Sequence, residues 1–136
     1  MGDTVTFGDA SKFGPRVPRI LLVEDQKDAR ASCARYLRSE GFDVREASDV
    51  AGALALADVY PFDALVLDVR LGTEDGVSLL RELRTRRNAA GVPAIAWTAH
   101  AMPHEVSDLL ASGFHYCLVK PAGSLELPHA LRALIG

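Results

Sequence analysis

From Arg19 onward, short aliphatic runs alternate with stretches of helical period five times, and few folds accommodate that alternation. The runs are Ile20–Val23, Phe42–Glu46, Ala64–Leu67, Ala94–Trp97 and Tyr116–Val119, and three of them are almost continuously apolar. Strands of that kind are covered on both faces, as in a parallel sheet with helices on either side. Between them, one-sided stripes predict five helices: Ala29, Cys33, Tyr36 and Leu37; Val50, Ala53, Leu54 and Ala57; Val77, Leu80 and Leu83; Met102, Val106, Leu109 and Leu110; Leu127, Ala130, Leu131 and Leu134. Gly41, Gly91 and Gly113 stand where helices would end. Pro128 is compatible with the last helix only in its first turn, where a missing N–H removes no helical bond.

Five βα units joined by short connections imply right-handed crossovers and a single α/β domain, doubly wound, with the flavodoxin-like strand order 2-1-3-4-5. The domain is expected over residues 19–136, behind a flexible tail over 1–18. A length of 136 residues suits one domain with a purely apolar core. The formal net charge of -3 lacks the basic stripe that duplex phosphates require, so direct nucleic-acid binding is not expected. The longest uncharged stretch, Asn88 to His104, is broken by Gly91, Pro93 and Pro103, so no membrane insertion is expected. Cys33 and Cys117 form no CxxC pair, which favours a reducing compartment and a cytoplasmic location. The opening residues Met1 to Thr6 fit the loose myristoylation pattern, a match short enough to arise by chance, and nothing resembles a secretory leader.

In such a sheet, ligands sit outside the carboxyl ends of the strands, where the strand order reverses. The residues that follow the strands are Glu24 and Asp25 after the first, Asp68 after the third, Thr98 after the fourth, and Lys120-Pro121 after the fifth. Three carboxylates brought to one edge repel unless a cation joins them, and a hard divalent ion such as magnesium favours an all-oxygen set. No His or Cys belongs to the cluster, which disfavours zinc. Glu24-Asp25 and Thr98 could instead cap the helices that follow them. His100, His104, His115 and His129 share no ligand spacing beyond the i, i+4 pair His100 and His104, and are read as surface residues. Trp97 alternates away from Thr98 and is read as core.

This constellation resembles the receiver domain of bacterial response regulators, from Arg19 to the C-terminus. The resemblance rests on Ile20-Leu21-Leu22-Val23-Glu24-Asp25, on Leu67-Asp68-Val69-Arg70 with Asp75-Gly76 further on, on Thr98-Ala99, and on Leu118-Val119-Lys120-Pro121. It implies that Asp68 is a phosphoacceptor, attacking a phosphohistidine on a histidine kinase or histidine phosphotransfer protein to form an acyl phosphate. It also implies that Asp25, Asp68 and the backbone carbonyl of Arg70 bind magnesium directly, with Glu24 acting through a coordinated water. Thr98 and Lys120 would meet the phosphoryl oxygens, Lys120 would pair with Asp68 before phosphorylation, and a cis Lys120-Pro121 bond would aim the lysine. Phosphorylation would bias the face made by the fourth and fifth βα units toward a downstream protein target. No output segment follows the fifth helix, so the signal is expected to leave by protein contact.

Three positions depart from the family pattern. Cys117 stands where a switching Tyr or Phe is usual, Gly72 replaces a common proline, and Arg70 is unusual two residues after the acceptor. Tyr116 cannot substitute for the missing ring, because a one-residue shift turns it to the other face. Alternative readings are a receiver-like interaction module that signals without phosphate, or the receiver part of a hybrid histidine kinase. A phosphatase with an aspartate nucleophile would carry a second Asp at the position of Arg70, so enzymatic turnover of free substrates is not expected. No strand is followed by a GxxxxGK phosphate loop.

Overall fold

The computed structural model describes residues 17–99, 101–120 and 126–136. The tail up to residue 16, His100 and the Lys120-Pro121 bond lie outside the described residues. Strands β1 (Arg19–Val23), β2 (Asp43–Ala47), β3 (Ala64–Asp68), β4 (Ala94–Thr98) and β5 (Tyr116–Val119) form one parallel sheet in the order 2-1-3-4-5, as expected. Helices α1 (Lys27–Ser39), α2 (Val50–Val59), α3 (Gly76–Leu83), α4 (Pro103–Ala111) and α5 (Glu126–Ile135) alternate with them.

Because side chains alternate along a strand, each central strand feeds two cores. Leu21, Val23, Leu65, Leu67, Ala94 and Ala96 pack with Ala53, Ala57, Leu79, Leu80, Leu83 and Leu109 of α2, α3 and α4. Ile20, Leu22, Ala64, Val66, Ile95 and Trp97 pack with Cys33, Ala34, Leu37, Leu127 and Leu131 of α1 and α5. Trp97 is core, as its alternation with Thr98 implies. Pro128 lies in the first turn of α5, as the sequence requires.

Three expectations need correction. The fourth stripe is not a buried face: Leu109 alone is fully enclosed, while Met102 and Leu110 are 55% and 44% exposed. The physical reason is its neighbour, since β5 is an edge strand with Tyr116 and Val119 exposed, and it offers α4 little to cover. Lys120, which its neighbours Val119 and Pro121 would place at the end of a buried strand, therefore follows an exposed edge strand instead. The third helix ends at Leu83, well short of Gly91, and a 3-10 turn over Arg87–Ala89 fills the interval. The guanidinium of Arg84 closes that turn by donating to the carbonyls of Ala89 and Val92.

The amino ends of the strands are locked by charge. Arg19 bonds Asp43 at 2.9 Å and Asp63 through its backbone N–H at 2.7 Å, and Arg19 and Arg45 both lie over the Tyr60 ring. The carboxyl ends carry the polar residues of interest.

Leu65 is fully buried between the helices and Leu110 projects to solvent. Urea denaturation of Leu65→Ala should show a loss of about 3 kcal/mol, whereas Leu110→Ala should stay within about 0.5 kcal/mol of the parent.

Candidate functional site

β1 and β3 are neighbours, and the helices that follow them, α1 and α3, pack on opposite faces of the sheet, so a crevice opens where their carboxyl ends part. It has a volume of about 690 Å³ and contains Glu24, Asp25, Asp68, Arg70, Thr98 and Lys120 in its lining. All five residues singled out by position after a strand are therefore brought together, with Arg70 beside them. Oxygens of Glu24, Asp25 and Asp68 come within 4.8 Å of one another. Glu24 is completely buried, Asp68 is 5% exposed, and Asp25 faces the crevice mouth.

Each side chain has an identifiable support. Glu24 N donates to Ala47 O at 3.0 Å, carrying the β1–β2 ladder one residue past the strand. Its Oε2 accepts from Gln26 N at 2.9 Å, and its carbonyl accepts from Arg30 Nη1 at 2.9 Å. Asp68 Oδ1 accepts from Arg70 N at 3.1 Å. Lys120 N donates to Thr98 O at 2.7 Å, fixing the lysine's backbone to the end of β4. From there Lys120 Nζ donates to Glu24 Oε1 and, at 3.0 Å, to Asp68 Oδ2. Burial alone would push the lysine's pKa down. The hydrogen bonds it donates to Glu24 and Asp68 outweigh that effect and hold it above the ordinary lysine value.

Neither Glu24-Asp25 nor Thr98 acts as a helix cap. The N-cap of α1 is Gln26 and that of α4 is Met102, whose backbone N–H is taken by Glu105 at 2.7 Å. Asp68 is free of that duty because α3 begins later, capped by Asp75, whose Oδ1 accepts from Ser78 N at 2.8 Å. Between Asp68 and α3, the pair Arg70–Leu71 and Glu74–Asp75 makes a two-residue antiparallel ribbon turned by Gly72 at φ +66°. Gly76 follows, and a Cβ there would stand 2.3 Å from the Asp68 carbonyl oxygen, so only glycine lets α3 start so close to the acceptor strand.

Several contributors escaped the sequence reading. Glu24 pairs directly with Lys120, an arrangement that charge alone does not distinguish from the Asp68 pairing. Arg30, Glu105 and Asp108 also reach the site or its rim. The helical period could have found them, since Glu105, Asp108 and Leu109 occupy one side of α4.

A family model for the response regulator receiver domain matches residues 20–132. The chain belongs to the response regulator receiver domain family. It is 38% identical over 122 residues to the transcriptional regulatory protein PrrA of Mycobacterium tuberculosis, covering 90% of this chain and 52% of that protein. The chain thus spans about half the length of that relative. Among solved structures, the receiver domain of the sensor histidine kinase PA1611 from Pseudomonas aeruginosa, with magnesium coordinated in its active-site cleft, superposes with a TM-score of 0.79. It is 36% identical and covers 89% of this chain and 99% of that one. The chemotaxis protein CheY4 of Vibrio cholerae gives a TM-score of 0.81 at 25% identity, covering 88% and 99%. As a receiver domain, the chain is a signalling module of flavodoxin-like fold.

Two measurements follow from this geometry. Lys120→Met leaves Glu24 and Asp68 buried without their cation and should cost about 3 kcal/mol by urea denaturation in metal-free buffer, with Glu24→Gln in the same chain recovering part of the loss. Cys33, on the α1 face behind Glu24, has its thiol pKa pushed up to about 12, first by burial and then by the Glu24 charge. Ionisation of the unfolded thiol therefore starts near pH 9, below that of the folded one. The stability this thiol contributes is whole below that pH and drains away as the pH climbs toward 12. Thermal melts of Cys33→Ala should fall less steeply over that interval than those of the parent.

Proposed function

We propose that this receiver domain is a magnesium-dependent phosphoacceptor: Asp68 takes a phosphoryl group from a phosphohistidine partner, and the domain then signals through protein contacts. The observation that carries this reading is the gathering of Glu24, Asp25 and Asp68 around a crevice, with Lys120 the one cation bonded to their carboxylates among the described residues. Three carboxylates against one ammonium leave two formal negative charges, the complement of one divalent ion. The donor set is all oxygen and partly open to water, which suits magnesium.

In this reading Glu24, Asp25, Asp68 and the backbone carbonyl of Arg70 hold the ion. When bound, the ion neutralises charge on the carboxylate and phosphoryl oxygens together. A carboxylate oxygen of Asp68 attacks phosphorus, the bond from phosphorus to the partner's imidazole nitrogen breaks, and its electron pair stays on that nitrogen. The product is an acyl phosphate on Asp68. Lys120, already 3.0 Å from Asp68 Oδ2, meets the negative charge of the phosphoryl oxygens as they arrive, together with the hydroxyl of Thr98. The Lys120 N–H bond to the Thr98 carbonyl ties the two backbones together at the ends of β4 and β5.

The partners are a histidine kinase or histidine phosphotransfer protein on the input side and a protein target on the output side, met in the cytoplasm. Among the described residues no helix is long and apolar enough to cross a membrane. Turnover of free phosphomonoesters is outside this reading, because Arg70 occupies the place of a general acid. The thin seat of α4 supports an output through the face made by β4, α4, β5 and α5.

Incubation with acetyl phosphate and magnesium should add one phosphoryl group to the intact mass of the parent and none to Asp68→Asn. Chelating the magnesium should abolish the gain. An unmodified parent under these conditions would favour an interaction module that signals without phosphate.

A further inference from the structure

The Lys120 ammonium has a third neighbour that is not an acid. Its Nζ lies over the ring of Trp97, 4.9 Å from the centroid, within the range of a cation–π contact. The strand register explains the meeting. Trp97 is paired with Asp68 on one side and Leu118 on the other, and Lys120 lies two residues beyond Leu118. Period-two alternation therefore sends Glu24, Asp68, Trp97 and Lys120 toward the side of the sheet that α1 and α5 cover.

The indole is an expensive choice for that position if it only fills space. Trp97 is buried, and among the described residues nothing accepts a hydrogen bond from its Nε1. An aliphatic side chain would fill the same core without burying an unpaired donor. What an aliphatic chain lacks is a negative ring face. We propose that Trp97 is a positioning residue for Lys120, its indole face holding the ammonium beneath Glu24 and Asp68 and closing it off from water on the side away from the carboxylates.

The claim about Lys120's placement stands on geometry alone, and its effect on phosphoryl transfer rests on the function proposed above. The chain has a single tryptophan, so growth on fluorinated tryptophan replaces Trp97 alone with a nearly isosteric ring of weaker face charge. Two readings are made on the parent, Trp97→Phe, Trp97→Leu and the fluorinated proteins. The first is the side-chain ammonium NMR resonance of Lys120, visible when the group is held and shielded from exchange with water. It should be present in the parent, retained in Trp97→Phe, weakened by fluorination, and lost in Trp97→Leu. The second is the rate of phosphorylation by acetyl phosphate and magnesium, which should fall in step with fluorination and be roughly fivefold to twentyfold slower in Trp97→Leu, with Trp97→Phe recovering most of it. A merely structural role would leave the fluorinated series unchanged in both readings, and that result overturns the inference, as would a Trp97→Phe protein as impaired as Trp97→Leu. Should Trp97→Leu fail to fold, the fluorinated proteins decide. Should the parent take no phosphate, the proposed function fails and the ammonium resonance still decides the placement of Lys120.

Discussion

One ammonium set against two carboxylates withdrawn from water is the contact on which this molecule's working end depends. Lys120 reaches Glu24 across 96 positions of sequence and Asp68 across 52, so the pairing exists only when β1, β3 and β5 have all found their places. Breaking such a buried pair from one side costs far more than an exposed salt bridge contributes. The fold therefore treats the site as part of its interior, and it builds the local backbone to match. Glu24 continues the β1–β2 ladder, Lys120 is tied to the end of β4, and Asp68 is met by the N–H of Arg70.

Much of this was legible because the sheet is parallel and buried. Ala64–Asp68 and Ala94–Thr98 are enclosed along their whole length, and continuous apolar runs advertise that condition. Once the runs are found, the site follows by reading the next residue after each, which is how Glu24, Asp25, Asp68, Thr98 and Lys120 were identified. Contacts between strands were less accessible. Nothing local in the sequence says that Glu24 turns to Lys120, or that Trp97 sits beneath it, because both depend on register. The depth of α4 was also hidden: a one-sided stripe shows which face could be buried, and only the neighbouring edge strand decides how much of it is.

The two ends of the sheet divide their labour. At the amino ends Arg19, Asp43, Asp63 and Tyr60 interlock charges with an aromatic ring and tie the start of β1 to β2 and to the residue that leads into β3. At the carboxyl ends the loops are held open by short devices instead. The ribbon after Asp68 turns at Gly72, and its Glu74 accepts from Val50 N at 3.2 Å, so the segment that leaves the acceptor strand also touches the start of α2. Gly76 then admits α3 against the acceptor's own carbonyl. A crevice results whose floor is buried and whose rim is built from loops and the flank of α4.

That flank has a mechanical consequence. A helix whose one fully buried side chain is Leu109 gives up little apolar contact if it shifts, while Leu21, Leu65 and the rest of the interior are held by the other helices. Reshaping this margin would therefore cost far less than unravelling the protein, because it leaves the packing of the sheet against α2 and α3 in place.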